Sequence, residues 1–105
     1  MKKTKRAALE AHGWRVAAAK EFLELTPEES AFIETKVALS RTLRTRRVAQ
    51  GLSQAALAQR LTSSQSRIAK MEAADASVSL DLLVKSLLAL GASRREVGRV
   101  IARAA

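Results

Sequence analysis

The chain has 105 residues, with 19 Lys+Arg against 10 Asp+Glu, a formal charge of +9 and a pI near 11.1. That length supports one modest core, and the absence of cysteine excludes disulfides, thiol nucleophiles and Cys-ligated zinc, while a lone histidine, His12, leaves no second imidazole for a metal site or a His-based catalytic pair. Alanine (21) and leucine (14) make up a third of the residues, against four Gly, one Pro and no Tyr, which is an all-α composition.

Taken in chain order, a first helix is expected from about Lys3 to His12, stopping at Gly13. Gly13-Trp14-Arg15-Val16 breaks it, and a second short helix follows from about Ala17 to Glu24. Leu25-Thr26-Pro27-Glu28-Glu29 is a strong helix start: Thr26 caps, Pro27 fits the first helical position and Glu29 closes a capping box. No breaker follows until Gly51, so one long helix is expected from Pro27 to Gln50, acidic in its first half and basic in its second. This change of sign suggests a helix that bridges two modules. Beyond Gly51 the elements are short. Ser53 caps a helix from Gln54 to Leu61, Thr62-Ser63-Ser64 makes a turn, and a further helix runs from Gln65 to Glu72. Ser79 then caps a very apolar helix from Leu80 to Leu90, and Ser93-Arg94-Arg95-Glu96 is a second capping box opening a last helix to the C-terminus.

Charge follows this organisation. Residues 1–6 carry +4, residues 7–36 carry −3 and residues 37–105 carry +8. A near-neutral front piece with a basic tip therefore precedes a strongly basic part, an asymmetry that points to a polyanionic partner. No run approaches the ~20 apolar residues of a membrane span, and the basic start has no apolar stretch behind it, so the expectation is a soluble cytoplasmic protein with no membrane role. The three aromatic residues, Trp14, Phe22 and Phe32, all lie in the front piece. The basic part thus lacks the stacking side chains that RNA binding favours. No nucleophile–base pair, phosphate loop or cofactor motif can be assembled, so an enzyme is not expected.

The stretch Ser53–Glu72 reads SQAALAQRLTSSQSRIAKME. Two helices of about eight residues joined by a three-residue turn must cross steeply. Ala58 supplies the small residue at the crossing, and Leu57 and Leu61 the inner stripe. On the second helix Ile68 and Met71 face inward, while Gln65, Ser66, Ala69 and Lys70 spread over the opposite side. That outer face is small at its centre, polar at its edges and free of acid, which suits a helix entering the major groove.

From Val37 to Leu90 the chain resembles the Xre family of Cro- and phage-repressor-like helix-turn-helix regulators. The resemblance rests on Leu43, Arg46, Arg47, Gly51, Leu52, Ser53, Gln54, Leu57, Ala58, Leu61, Ser64, Gln65, Ile68 and Glu72 at fixed spacing. It implies an all-α, five-helix phage-repressor-like DNA-binding domain over residues 37–105, preceded by a small helical N-terminal extension over residues 1–36. It also implies that Gln54 bonds a backbone phosphate, that Ser64, Gln65, Ser66 and Lys70 face the bases, with Gln65 suited to adenine, and that Arg67 flanks them and holds phosphate. Arg46 and Arg47 are further phosphate candidates. Three positions depart from the family: Thr62 and Ala74 stand where glycine is usual, and Ala56 replaces a common acid. The first two imply strain if the backbone there is left-handed.

Xre proteins mostly bind as homodimers to operator half-sites about one helical turn apart. On the leucine-rich helix Leu80, Leu83, Val84, Leu87, Leu88 and Leu90 form a wide apolar stripe, with Leu82 outside it. The stripe can serve the core and a second subunit at once, which makes Leu80, Leu82, Leu83 and Leu87 candidates for a dimer interface, or it can serve the core alone. The front piece, with Gly-Trp-Arg-Val, Glu-Phe-Leu-Glu-Leu and Thr-Pro-Glu-Glu, more loosely resembles antitoxins of HigA type. That resemblance implies a HigB/RelE-like toxin, a small ribonuclease, as partner and repression of the chain's own operon. Trp14, Phe22 and Phe32 are expected to form a small core there, with Trp14 as an alternative exposed anchor.

Overall fold

A computed structural model of the chain describes residues 25–104. The two helices expected before Leu25, with Trp14 and Phe22, lie outside those residues. All regular structure among the described residues is helical: α1 (Pro27–Ala49), α2 (Gln54–Arg60), α3 (Gln65–Glu72), α4 (Leu80–Ala89) and α5 (Arg94–Arg103). The first four match the expected spans to within one residue, and α5 starts where its capping box placed it but ends at Arg103 and does not run to the C-terminus as expected. No described helix is long and apolar enough to cross a membrane.

Each helix begins on a hydroxyl. The Thr26 Oγ1 accepts from the Glu29 N–H at 3.1 Å, and Glu29 Oε1 accepts from the Thr26 N–H at 2.8 Å. Ser93 and Glu96 repeat that reciprocal box at the head of α5, at 3.0 and 2.9 Å. Ser53, Ser64 and Ser79 cap α2, α3 and α4 by accepting from Ala56, Arg67 and Leu82. These bonds satisfy amide groups that the first turn leaves without an intrahelical partner.

Four helices also end alike. After α1, α2, α3 and α4 the chain passes through one left-handed residue, at Gly51, Thr62, Ala74 and Gly91. In each case the amide of the next residue returns to a carbonyl one turn back: Leu52 to Arg47, Ser63 to Ala58, Asp75 to Lys70 and Ala92 to Leu87. This is the Schellman stop, and two of its four left-handed positions hold side chains that disfavour it. The strain expected at Thr62 and Ala74 is therefore present, with φ of 55° and 56°.

The long α1 is the spine, packing against α3, α4 and α5, while α2 packs on α3. Leu39 and Leu43 of α1 meet Leu57 and Ala58 of α2, Ile68 and Met71 of α3, Leu83 and Leu87 of α4 and Val97 of α5 in one buried cluster. The core assignments for Leu57, Ala58, Ile68 and Met71 hold. The dimer assignment does not hold for Leu83 and Leu87, each with 0% exposure. Turning either outward would forfeit about 1.5–3 kcal/mol of intramolecular burial. Leu80 and Leu82 are half-buried and pack against the same core. The α4 leucine left in solvent is Leu88, at 39% exposure.

Candidate nucleic-acid interface

The outer side of α3 is built from what the inner side excludes. Ile68 and Met71 are sunk in the core, and at about 100° per residue this turns Gln65, Ser66, Arg67, Ala69 and Lys70 outward. All five are exposed, as is the capping Ser64. The Ser64 hydroxyl is already used as acceptor by the Arg67 amide, at 3.1 Å, so its role at the surface is shared with ending the turn. Shallow hollows flank the helix. One, of about 320 Å³, lies between Ser66, Lys70 and the Ser77-Val78 segment. The other, of about 640 Å³, is walled by Ser63, Ser64 and Arg67 on one side and Lys85 of α4 on the other.

Lys85 is the residue that sequence reasoning passed over. Its signal was its isolation, as the one base on a leucine-rich helix. Exposed and facing Arg67 across the hollow, it extends the positive charge of α3 onto α4. Asp75, just past the end of α3, lies close enough to Lys70 to feel its charge. Its carboxylate accepts from the Ser77 hydroxyl and, at 2.9 Å, from the Ser77 amide. Those two bonds, the hydroxyl foremost, hold its pKa below the usual aspartate value.

What aims α3 is a buried ion pair at its last turn. Arg47 on α1 presents its guanidinium edge to Glu72, Nε to one carboxylate oxygen and Nη2 to the other at 3.0 Å. Its remaining Nη1 donates to the Leu52 carbonyl at 2.7 Å. Gln54, at the start of α2, donates through Nε2 to Glu72 Oε1 at 3.1 Å. Both charged side chains are nearly sealed from solvent. Hydrogen bonding to Glu72 outweighs desolvation and raises the Arg47 pKa, so the guanidinium stays charged. One carboxylate thus ties α1, α2 and α3 together.

This geometry corrects two assignments. Arg47 is not a phosphate contact, because its donors are committed inside the fold. Arg46 is likewise turned to the interior side of α1, with Nη2 on Glu96 at 2.6 Å and Nη1 on the Leu90 carbonyl at 3.4 Å, which fastens α5. Gln54 keeps its position at the head of α2, but one of its amide hydrogens is spent on Glu72.

Two short helices crossing on a small residue, joined by a tight turn and aimed by a buried pair, define a DNA-binding helix-turn-helix unit. The helix-turn-helix domain family matches residues 38–100, and the chain belongs to that family. A search of curated proteins found no match, and neither did one of solved structures.

Proposed function

We propose that the chain is a sequence-specific transcriptional repressor of the Xre type. It binds a double-stranded operator as a homodimer and acts as the antitoxin of a toxin–antitoxin pair that represses its own operon. The observation that carries the DNA reading is the outer face of α3: small in the middle, amide and cation at the edges, without acid, and held rigidly from behind. On this reading Gln65 and Ser66 address base edges, with Ser64 and Lys70 beside them. Arg67 and Lys85 take phosphates, and the second amide hydrogen of Gln54 reaches a third. Its role is that of a binding protein, not of an enzyme.

Replacing Gln65 with alanine is expected to cost about 1–3 kcal/mol on the operator and little on random duplex. The comparison is made by electrophoretic mobility shift at one fixed salt concentration. Equal losses on both duplexes would remove Gln65 as base reader.

The antitoxin reading is supported by the head of α1, outside the matched residues 38–100. There Leu25, Phe32 and Ile33 line an apolar hollow with Glu28 and Glu29. Phe32 is 51% exposed, and the two aromatic residues expected to pack with it, Trp14 and Phe22, lie outside the described residues. An acidic rim around an exposed aromatic ring suits a basic protein partner. An adjacent gene for a small basic ribonuclease, whose product copurifies with the chain, would establish the pair. Without such a neighbour the reading becomes that of a stand-alone prophage-like repressor.

A further inference from the structure

A second groove lies between α1 and α5. Its walls carry Arg41 on α1 and Arg99 and Arg103 on α5, all exposed, and its volume is about 470 Å³. Its lining includes Leu87 and Val97 of the core and the half-buried Val100. The single carboxylate in the lining, Glu96, is already bound by Arg46 and by the Ser93 amide. Three arginines therefore line one trough of mixed polar and apolar surface, where the single carboxylate is shared between Arg46 and the charge of Arg99 and leaves a net positive wall. Arg99 and Arg103 are one turn apart on α5 and project side by side.

The groove stands apart from the DNA surface. At about 100° per residue, Arg41, Thr42, Thr45 and Arg46 occupy an arc of about 140° on α1, and Arg47, which grips the end of α3, lies about 170° from the middle of that arc. A duplex resting on α3 would lie on the opposite side of the spine. A phosphodiester backbone would also gain nothing from the valines and alanine in the lining, because its charges need only a basic surface. A peptide carrying carboxylates on either side of an aliphatic or aromatic side chain satisfies both parts of the groove at once.

We propose that the α1–α5 groove docks an acidic, amphipathic segment of a protein partner, its carboxylates on Arg41, Arg99 and Arg103 and its apolar side chain over Val97 and Val100. This inference is independent of the operator and toxin readings. The test uses the full chain and a fluorescein-labelled short peptide of Glu-Glu-Leu-Leu repeats, with its Gln-Gln-Leu-Leu counterpart, read by fluorescence anisotropy. The variant R41A/R99A, one change on each wall, is expected to weaken the glutamate peptide by roughly tenfold or more. The variant R44A/R94A removes the same charge from the same two helices outside the groove and is expected to change binding by less than about twofold. All four positions are exposed, and thermal melts check that both variants remain folded. Amide resonances of Thr45 and Val100 should move on peptide addition, ahead of those on α3. The proposal is overturned if the peptide does not bind, if the two variants lose affinity alike, or if the glutamine peptide binds as tightly. A random duplex that shifts Thr45 and Val100 as the peptide does would overturn it too, by assigning the groove to nucleic acid.

Discussion

Thr62 and Ala74 occupy the same backbone position in the stops of α2 and α3 that Gly51 and Gly91 occupy in the stops of α1 and α4. A side chain in the left-handed region costs about 1–2 kcal/mol, because Cβ crowds the following carbonyl. Glycine removes that crowding but gives back part of the gain as unfolded-chain entropy. Thr62→Gly and Ala74→Gly are each expected to stabilise the fold by about 1 kcal/mol, which for a domain of this size raises the thermal midpoint by roughly 4–8 °C. The two positions flank α3 without touching each other's capping bonds, so the gains should add. Thermal unfolding followed by circular dichroism decides it, and an unchanged or lowered midpoint would show that the strain is relieved elsewhere.

Among the elements, α3 gains its orientation from outside itself. It is eight residues long, too short to persist alone, and its last residue is held by α1 and α2 through Glu72. Glu72→Ala leaves a buried guanidinium with no counter-charge and is expected to cost about 3–5 kcal/mol. Replacing both partners, Arg47→Met with Glu72→Met, removes the charges together and should cost much less than the sum of the single changes. Urea unfolding of the singles and the double measures this, and additive losses would mean that the pair is not a coupled unit. The sequence carried the helix ends plainly, because caps and stops are local: Thr26, Ser53, Ser64, Ser79 and Ser93 act on residues three positions away. It carried the α3 surface too, since two buried apolar residues define the outward side of so short a helix. It did not carry the role of Arg46 or Arg47. Whether a helix arginine meets solvent depends on what later elements bring to it, here Glu96 from 50 residues on and Glu72 from 25. The α4 leucines failed for a related reason: a stripe that wide does not say which part faces α1 and which faces solvent.

For the whole molecule, ten acids offset nineteen bases, so each carboxylate that titrates raises an already large positive charge. Glu96 is the informative one. Its pKa is lowered foremost by the Ser93 amide, which with the nearby charges of Arg46 and Arg99 outweighs an opposing effect of desolvation. A carboxylate whose pKa is lower folded than unfolded stabilises the fold above the unfolded value. That contribution is lost as pH falls through the folded value. Asp75 is shifted in the same direction by its bonds from Ser77. Stability should thus hold near neutrality and decline as pH drops below about 4.5, the ordinary glutamate range, with the falling limb extended to lower pH by the depressed values. Glu96→Gln separates this effect from general charge repulsion. Glutamine still accepts the Ser93 amide and closes the capping box, but it neither titrates nor pairs ionically with Arg46. The variant is expected to be less stable than the parent at neutral pH and to lose less stability between neutrality and pH 3, so that the two curves converge in acid. Thermal midpoints across that range test it, and parallel curves would show that Glu96 ionisation contributes nothing to the acid limb.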